Sequence, residues 1–407
     1  MVYAYASFKQ RINVVLFHVV LLTLLKQCAI TIRKHSLGET VAGLQELVMY
    51  GLKGMCAYAH HAEALGSSSV KISHFVAECL TFLSGPESNE ASACIAMALR
   101  VVGCNYEVME LLSNAHSSML GTPTPTEVSL IPRVGKAVLV TGHDMNDMHL
   151  LLQQTEGLGI NVYTHGEMLP AHGYPGLPSS HTWLETLEVP GIARSLNLQV
   201  TTNCVLDPTD AYCHNLFTAN ETGASGSQHV TEKDFSAVIQ RALELPGFTP
   251  QDVEAAERAL SVAVQAGIAS GKAAVTVGFG HHAVLERAGD IVQAIQDARL
   301  WHIFLIGGCD GNEPQRAYYS QLYKFMPKTM ILTMGCGKFR IFDQDFGNVP
   351  GTDIPRLLDM GQCNDAFSAL VVAKELSNAL GTDINSLPLS LDLSWFIRRL
   401  WQSSSPF

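Results

Sequence analysis

Six short apolar runs, rich in Val, Ile and Leu, alternate with helical stretches over the later two-thirds of the chain. They are Ala137–Thr141, Ile160–Thr164, Gln199–Thr202, Ala273–Val277, Ile303–Ile306 and Thr329–Thr333. Strands buried on both faces read as continuous apolar runs, and parallel neighbours need a crossover, so this alternation predicts βαβ units. A longer stretch with two helices, Glu232–Leu245 and Thr249–Ala266, separates the third run from the fourth and sets a boundary near residue 270. After the sixth run a loop rich in Gly and Asp leads to a helix over Ala366–Leu380.

Before residue 121 the period is helical instead. Leu44, Leu47, Val48, Leu52, Met55 and Tyr58 recur at three- and four-residue spacings, which predicts one face of a helix. Further helices are expected over Val70–Leu83 and Ala91–Met119. The segment Gly121-Thr-Pro-Thr-Pro-Thr126 ends this region, because two prolines so close cannot continue a helix.

Composition narrows the function classes. With 47% apolar and 15% charged residues the chain is neither disordered nor a coiled coil. A net charge of −11 and the lack of any Lys/Arg run argue against nucleic acid as the main partner. The ten cysteines form no C-x-x-C pair, so zinc ribbons and thioredoxin-type sites are unsupported. Scattered thiols fit a reducing compartment, the cytoplasm or an organelle matrix. Cys56, Cys79, Cys94 and Cys104 lie in helical patterns and read as small buried residues. Near the start, Lys9 and Arg11 precede the apolar stretch Val14–Leu25, which is short for a bilayer span. It reads as a buried helix or an aberrant start, with a signal-peptide core as the alternative, and gives no firm membrane prediction.

In open parallel sheets ligands bind beyond the carboxyl ends of the strands. The residues that follow the six runs are Gly142-His143-Asp144, His165-Gly166-Glu167, Asn203-Cys204, Gly278-Phe279-Gly280-His281-His282, Gly307-Gly308-Cys309-Asp310-Gly311 and Gly335-Cys336-Gly337-Lys338. Gly361-Gln362-Cys363-Asn364-Asp365 then precedes the last helix. Thiolates select soft metals and Fe–S clusters, whereas imidazole and carboxylate suit iron in an oxygen-rich setting. Four cysteines with one His and one Glu therefore match a mixed sulfur and oxygen iron centre better than zinc. Taken singly, each has a plainer reading. A strand-end cysteine is more often a small core residue. His143 alone could cap a helix, and His281-His282 suits a loop or a substrate pocket. The Gly307–Gly311 turn could cradle phosphate, but it lacks the GxGxxG or GxxxxGK spacing. The coincidence of the strand ends favours metal.

The strings GHDMND, QTEGLGINVYTHGEMLPAHGYPG, TTNC, FLIGGCDG, GCGKFRIFD, IPRLLDMGQCNDA and LPLSLDLSW resemble the hybrid cluster protein family, also called prismane proteins or hydroxylamine reductases. The likeness runs from about Leu44 to Trp395. It implies an α/β fold: an N-terminal helical region followed by two Rossmann-like parallel-sheet domains, the last one truncated. The expected bounds are a divergent segment 1–40, a helical domain 41–134, a first α/β domain 135–270 and a second 271–407. It also implies a hybrid 4Fe–2S–2O cluster held by His143, Glu167, Cys204, Cys309, Cys336 and Cys363, with Cys309 the thiol that carries a persulfide sulfur. The implied reaction, a step of nitrogen metabolism, reduces hydroxylamine to ammonia and water, with nitric oxide a further substrate and a redox protein as electron donor.

Three departures from the family pattern stand beside it. Only Cys28 lies near the start, where the family has a four-cysteine motif, so the N-terminal Fe–S cluster is expected to be absent. Ile397 stands where the family has a glutamate ligand, and the chain stops at Phe407. The stretch between Tyr174 and Thr201 also differs. These departures raise an alternative, a non-catalytic truncated relative that keeps the fold without a complete cluster.

Overall fold

The computed structural model describes residues 29–177, the backbone of 197–200, and residues 213–220, 222–265, 273–309, 326–342 and 344–394. The expectations for Val14–Leu25, Cys28, Cys204, Asp310 and Ile397 lie outside them. The chain divides into two compact units, Met1–Leu112 and Ser113–Phe407.

The first unit is helical: α1 (Ile30–Ala64), α2 (Val70–Ser84) and α3 (Ala91–Leu120), the last continuing into the second unit. Helix α1 carries a non-helical backbone at Gly38, with φ 82° and ψ 163°. Its core line is Val48, Leu52 and Met55, packed with Ile72, Cys79, Met97, Val101 and Val108. Leu47, expected on that face, is 58% exposed. At about 100° per residue it sits a quarter-turn off the line that Val48 and Leu52 define. Gln45 is buried there instead, its Nε2 donating to the Ser88 carbonyl at 2.9 Å. Cys79 and Cys94 are fully buried, and burial pushes the thiols of Cys56, Cys79, Cys94 and Cys104 upward, in keeping with inert core residues.

In the second unit α3 stops at Leu120, where Gly121 turns at φ 80°. Then come β1 (Thr126–Ser129), β2 (Lys136–Thr141), α4 (Met145–Thr155), β3 (Ile160–His165), β4 (Asn197–Val200), β5 (Leu216–Thr218), β6 (Gln228–His229), α5 (Ser236–Glu244) and α6 (Pro250–Gln265). After them come β7 (Ala274–Val277), α7 (His281–Leu285), α8 (Ala288–Gln296), β8 (His302–Gly308), β9 (Thr329–Met334), β10 (Leu357–Gly361), α9 (Ala366–Leu380) and β11 (Leu389–Ser394).

Among the described residues two all-parallel sheets result. One has the order β3-β2-β4-β5-β6, the other β10-β9-β8-β11. Alternation along β2 feeds two cores: Val138 and Val140 pack with Met145, Met148, Leu151 and Phe217, while Ala137 and Leu139 pack with Tyr163 and Phe248. The second sheet does the same, with Ile303, Leu305, Leu332 and Leu358 on one side and Ile306 and Ile331 on the other. This double burial is why the strands read as unbroken apolar runs.

The fourth run departs from expectation. As β7 it pairs antiparallel with β1, Val128 opposite Val275, and belongs to neither parallel sheet. A five-residue apolar run says nothing about the direction of its partner, and β1 itself, TEVS, is too polar to stand out. Strand β10 occupies the stretch expected to be loop.

Candidate metal centre

Five candidate ligands follow glycines of positive φ at the carboxyl ends of parallel strands. In the first sheet Thr141 of β2 pairs with His165 of β3, and each strand leaves through a glycine, Gly142 at φ 110° and Gly166 at φ 57°. His143 and Glu167 are the next residues, so matched register brings them side by side. Asp144 then caps α4, its Oδ1 accepting from the amides of Asn146 at 2.9 Å and Asp147 at 3.0 Å. In the second sheet β10, β9 and β8 are neighbours in that order; β8 and β10 end in Gly308 and Gly361, and β9 leaves through Gly335. Cys309 and Cys336 directly follow Gly308 and Gly335; Cys363 follows Gly361 after Gln362.

The two sheets meet at these ends. His143 Nε2 lies 3.4 Å from Glu167 Oε2 and 3.5 Å from Cys363 Sγ. The Cys363 amide donates to Glu167 Oε2 at 2.8 Å. One donor atom from each of His143, Glu167 and Cys363 falls in a group no wider than 4.8 Å. Gly335 closes against it. A Cβ there would stand 3.3 Å from the Gly308 carbonyl, 3.5 Å from Cys363 Cβ and 3.6 Å from Glu167 Oε1. The half-buried Cys309 and Cys336 thus sit on the strand ends beside the group, though their sulfurs are not in it.

Glu167 is 4% exposed. Burial alone would push its carboxyl up, but the His143 hydrogen bond and charge, the Lys338 charge and the Cys363 amide together hold it down to about 2. Its second oxygen, Oε1, is buried with no hydrogen-bond partner. An ionised, buried oxygen is costly without a counter-group. With imidazole and thiol beside it, this is a donor set that fits iron in mixed sulfur, nitrogen and oxygen ligation.

The surroundings were not expected from sequence. Lys338 is fully buried, its Nζ donating to Asp359 Oδ1 at 2.5 Å and to the Gly361 carbonyl at 2.8 Å. Burial raises Asp359 against the pull of Lys338, and burial pushes the Asp365 carboxyl up to about 7. Asp365 accepts the Gln362 amide at 2.7 Å, and a Cβ on Gly361 would come within 2.1 Å of its Oδ2. On the other sheet Lys233 lies 2.5 Å from Asp147 Oδ1 and 3.7 Å from Asp144 Oδ2. Asn220 Nδ2 donates to both carboxylates at 2.9 Å. Lys338 had a readable signal, being a lysine in a stretch of glycine and apolar residues. Gln362 and Asn220 had none, since an amide in a loop is unremarkable. The pair His281-His282 opens α7 and is not part of the donor group. His281 Nδ1 lies 2.9 Å from Ser368 Oγ, and burial, aided by His282, lowers its ring to about 4.

A parallel α/β unit with thiol, imidazole and carboxylate donors gathered at its strand ends has the architecture of a metal-centre protein. The chain belongs to the Prismane/CO dehydrogenase family, which it matches over residues 20–398. It is 43% identical over 369 residues to a hydroxylamine reductase of Acidiphilium cryptum, covering 89% of this chain and 62% of that one. A hydroxylamine reductase of Zymomonas mobilis is 43% identical over 390 residues, covering 92% of this chain and 67% of the other. A third, from Moorella thermoacetica, is 42% identical, covering 88% of this chain and 81% of the other. The chain thus spans about two-thirds of the length of the first two relatives. Among solved structures, carbon monoxide dehydrogenase IV from Carboxydothermus hydrogenoformans superposes with TM-score 0.59 at 14% identity, covering 87% of this chain and 66% of that one. A Ni-free carbon monoxide dehydrogenase from Thermococcus sp. AM4 gives 0.58 at 16%, covering 89% and 65%. These two likenesses concern the fold alone. Among the described residues no helix is long and apolar enough to cross a membrane.

Proposed function

We propose that this chain forms the core of a hydroxylamine-reductase-type oxidoreductase, with His143, Glu167, Cys204, Cys309, Cys336 and Cys363 holding a hybrid iron–sulfur–oxygen cluster. The observation that carries the reading is the meeting of His143, Glu167 and Cys363 from two sheets around an unpartnered, buried carboxylate oxygen. The names of the relatives point to the reaction, in which hydroxylamine takes two electrons and two protons, its N–O bond breaks, and ammonia and water leave. Bound at these residues, the cluster would supply the electrons and a Lewis-acidic iron to polarise the substrate.

The chain's own residues set the surroundings. Lys338 and His143 keep the Glu167 carboxylate ionised and ready to ligate. The Cys363 amide fixes one of its oxygens and so turns the other toward Gly335. Gly335 leaves the space that a side chain would fill. In this proposal the first α/β domain (135–270) provides His143, Glu167 and Cys204, and the second (271–407) provides the other three thiols. A redox protein delivers the electrons, nitric oxide is a further substrate, and a reducing interior such as the cytoplasm or an organelle matrix keeps the thiols competent. Ile397 favours a second reading, in which the fold persists without a complete cluster, because its side chain cannot coordinate iron.

The test is anaerobic purification and reconstitution, followed by iron and acid-labile sulfide analysis and a hydroxylamine-to-ammonia assay with an artificial electron donor. Roughly four irons per chain with turnover is the expected result, from the cluster composition. Protein that takes up no iron would favour the second reading.

A further inference from the structure

We infer that Gln362 is the positioning residue that locks the two sheets together at the donor group. It is fully buried at the end of β10, directly before Cys363. Its Nε2 donates to the carbonyl of Glu167 at 2.8 Å and to that of His143 at 3.1 Å. Its Oε1 accepts from Asn364 Nδ2 at 3.1 Å. Its own amide is held by Asp365 at 2.7 Å. One primary amide therefore uses both hydrogens on the backbones of two donor residues from the first sheet. Its oxygen is anchored in the second sheet's own loop, beside the third donor. No other side chain type offers this combination at that length: asparagine is one methylene shorter, lysine and arginine cannot accept, and glutamate lacks the paired donors.

The arrangement has a specific consequence. His143 and Glu167 are already registered with each other by the β2–β3 pairing. What that pairing cannot set is their distance from Cys363, which comes from the other sheet. The Gln362 fork spans that gap with two backbone bonds, and the Cys363 amide adds the third, to Glu167 Oε2. Removing the two donors frees Cys363 relative to His143 without touching a donor atom.

The inference rests on the metal-centre reading for its purpose but not for its test. In the metal-free full chain, the alkylation rate of Cys363 by iodoacetamide is followed by peptide mass spectrometry, with Cys56 and Cys104 of the helical unit as internal references. Gln362→Glu keeps the side chain's shape and an acceptor for Asn364 but leaves at most one donor for the two carbonyls; Gln362→Met keeps the volume and removes all side-chain polar contacts. The expected result is a Cys363 rate about tenfold above wild type in both variants, with the reference thiols unchanged. A Cys363 rate equal to wild type in either folded variant overturns the assignment, as does a rise shared equally by the reference thiols. Iron content after reconstitution is read separately. Wild-type chain without iron, but with Cys363 sensitive to Gln362, would remove the cluster and leave the clamp standing; wild-type chain with iron, and an insensitive Cys363, would do the reverse.

Discussion

The two sheets bring different chemistry to the same place, and each is braced by a lysine set among carboxylates. The five-stranded sheet presents the imidazole of His143 and the carboxylate of Glu167; the four-stranded sheet presents the thiols of Cys309, Cys336 and Cys363. Behind the first stands Lys233, with a side chain 34% exposed, between Asp144 and Asp147. Behind the second stands Lys338, with a side chain 0% exposed, on Asp359. The difference is one of solvent. Water screens part of the field of Lys233, whereas Lys338 acts across protein alone and reaches Glu167 on the opposite sheet. The thiol side therefore supplies the sulfur and, through Lys338, a charge that adds to the His143 hydrogen bond and charge in keeping the Glu167 carboxylate ionised.

The largest effect expected from breaking this comparison is at Lys338. Lys338→Met leaves Asp359 buried and unpaired, which should cost about 3–5 kcal/mol of unfolding free energy in a denaturant titration. Lys233→Met should cost about 1–3 kcal/mol, because its site is wetter and Asn220 still serves both carboxylates. Equal losses, or the reverse order, would sink the argument from burial.

The two acids of the first sheet should next give opposite pH signatures. Asp147 is raised from 3.8 to about 6, by burial and then by Asp144. Its contribution is full below the unfolded value and is lost as pH rises through about 6. Glu167 is lowered from 4.5 to about 2, so its contribution is full above 4.5 and is lost as pH falls toward 2. Stability measured against pH should therefore lose its decline between about pH 4 and 6 in Asp147→Asn, by about 1–3 kcal/mol. In Glu167→Gln it should lose the acid-side fall below about pH 4.5 instead. Profiles unchanged from wild type would show that neither group senses its neighbours as described. The smallest effect belongs to the helical unit. Its Glu78–Arg100 pair is half-exposed and screened by solvent, so Glu78→Gln should leave the denaturation midpoint within the scatter of repeated wild-type titrations.

Much of this architecture could be read from residues alone, for identifiable reasons. The runs that became β2, β3, β8 and β9 are buried on both faces and so are apolar throughout, and the helix Ala366–Leu380 matches its expected bounds. Strand β10 was hidden because LLDMG contains Asp359, a charge that only makes sense once Lys338 is placed beside it. The same reasoning explains the site. His143 and Glu167 were visible because they follow glycines at strand ends, and Cys363 because it stands in the Gly361–Asp365 turn just before the last helix. Gln362 was not, because its partners His143 and Glu167 lie far away in sequence and reach it only when the two sheets meet, and the pairing of Lys233 with Asp147 likewise spans a long sequence separation. Leu47 failed for a local reason: a three-residue spacing suggests a face that a 3.6-residue helix turns away from the core.

The central claim is that donors from both sheets hold one iron centre. Iron K-edge extended X-ray absorption on the anaerobically reconstituted chain, recorded for wild type and Glu167→Gln, tests it most directly. The account predicts mixed sulfur and nitrogen/oxygen scatterers around iron in wild type, with the light-atom shell diminished in the variant. An all-sulfur shell that is identical in both would contradict it.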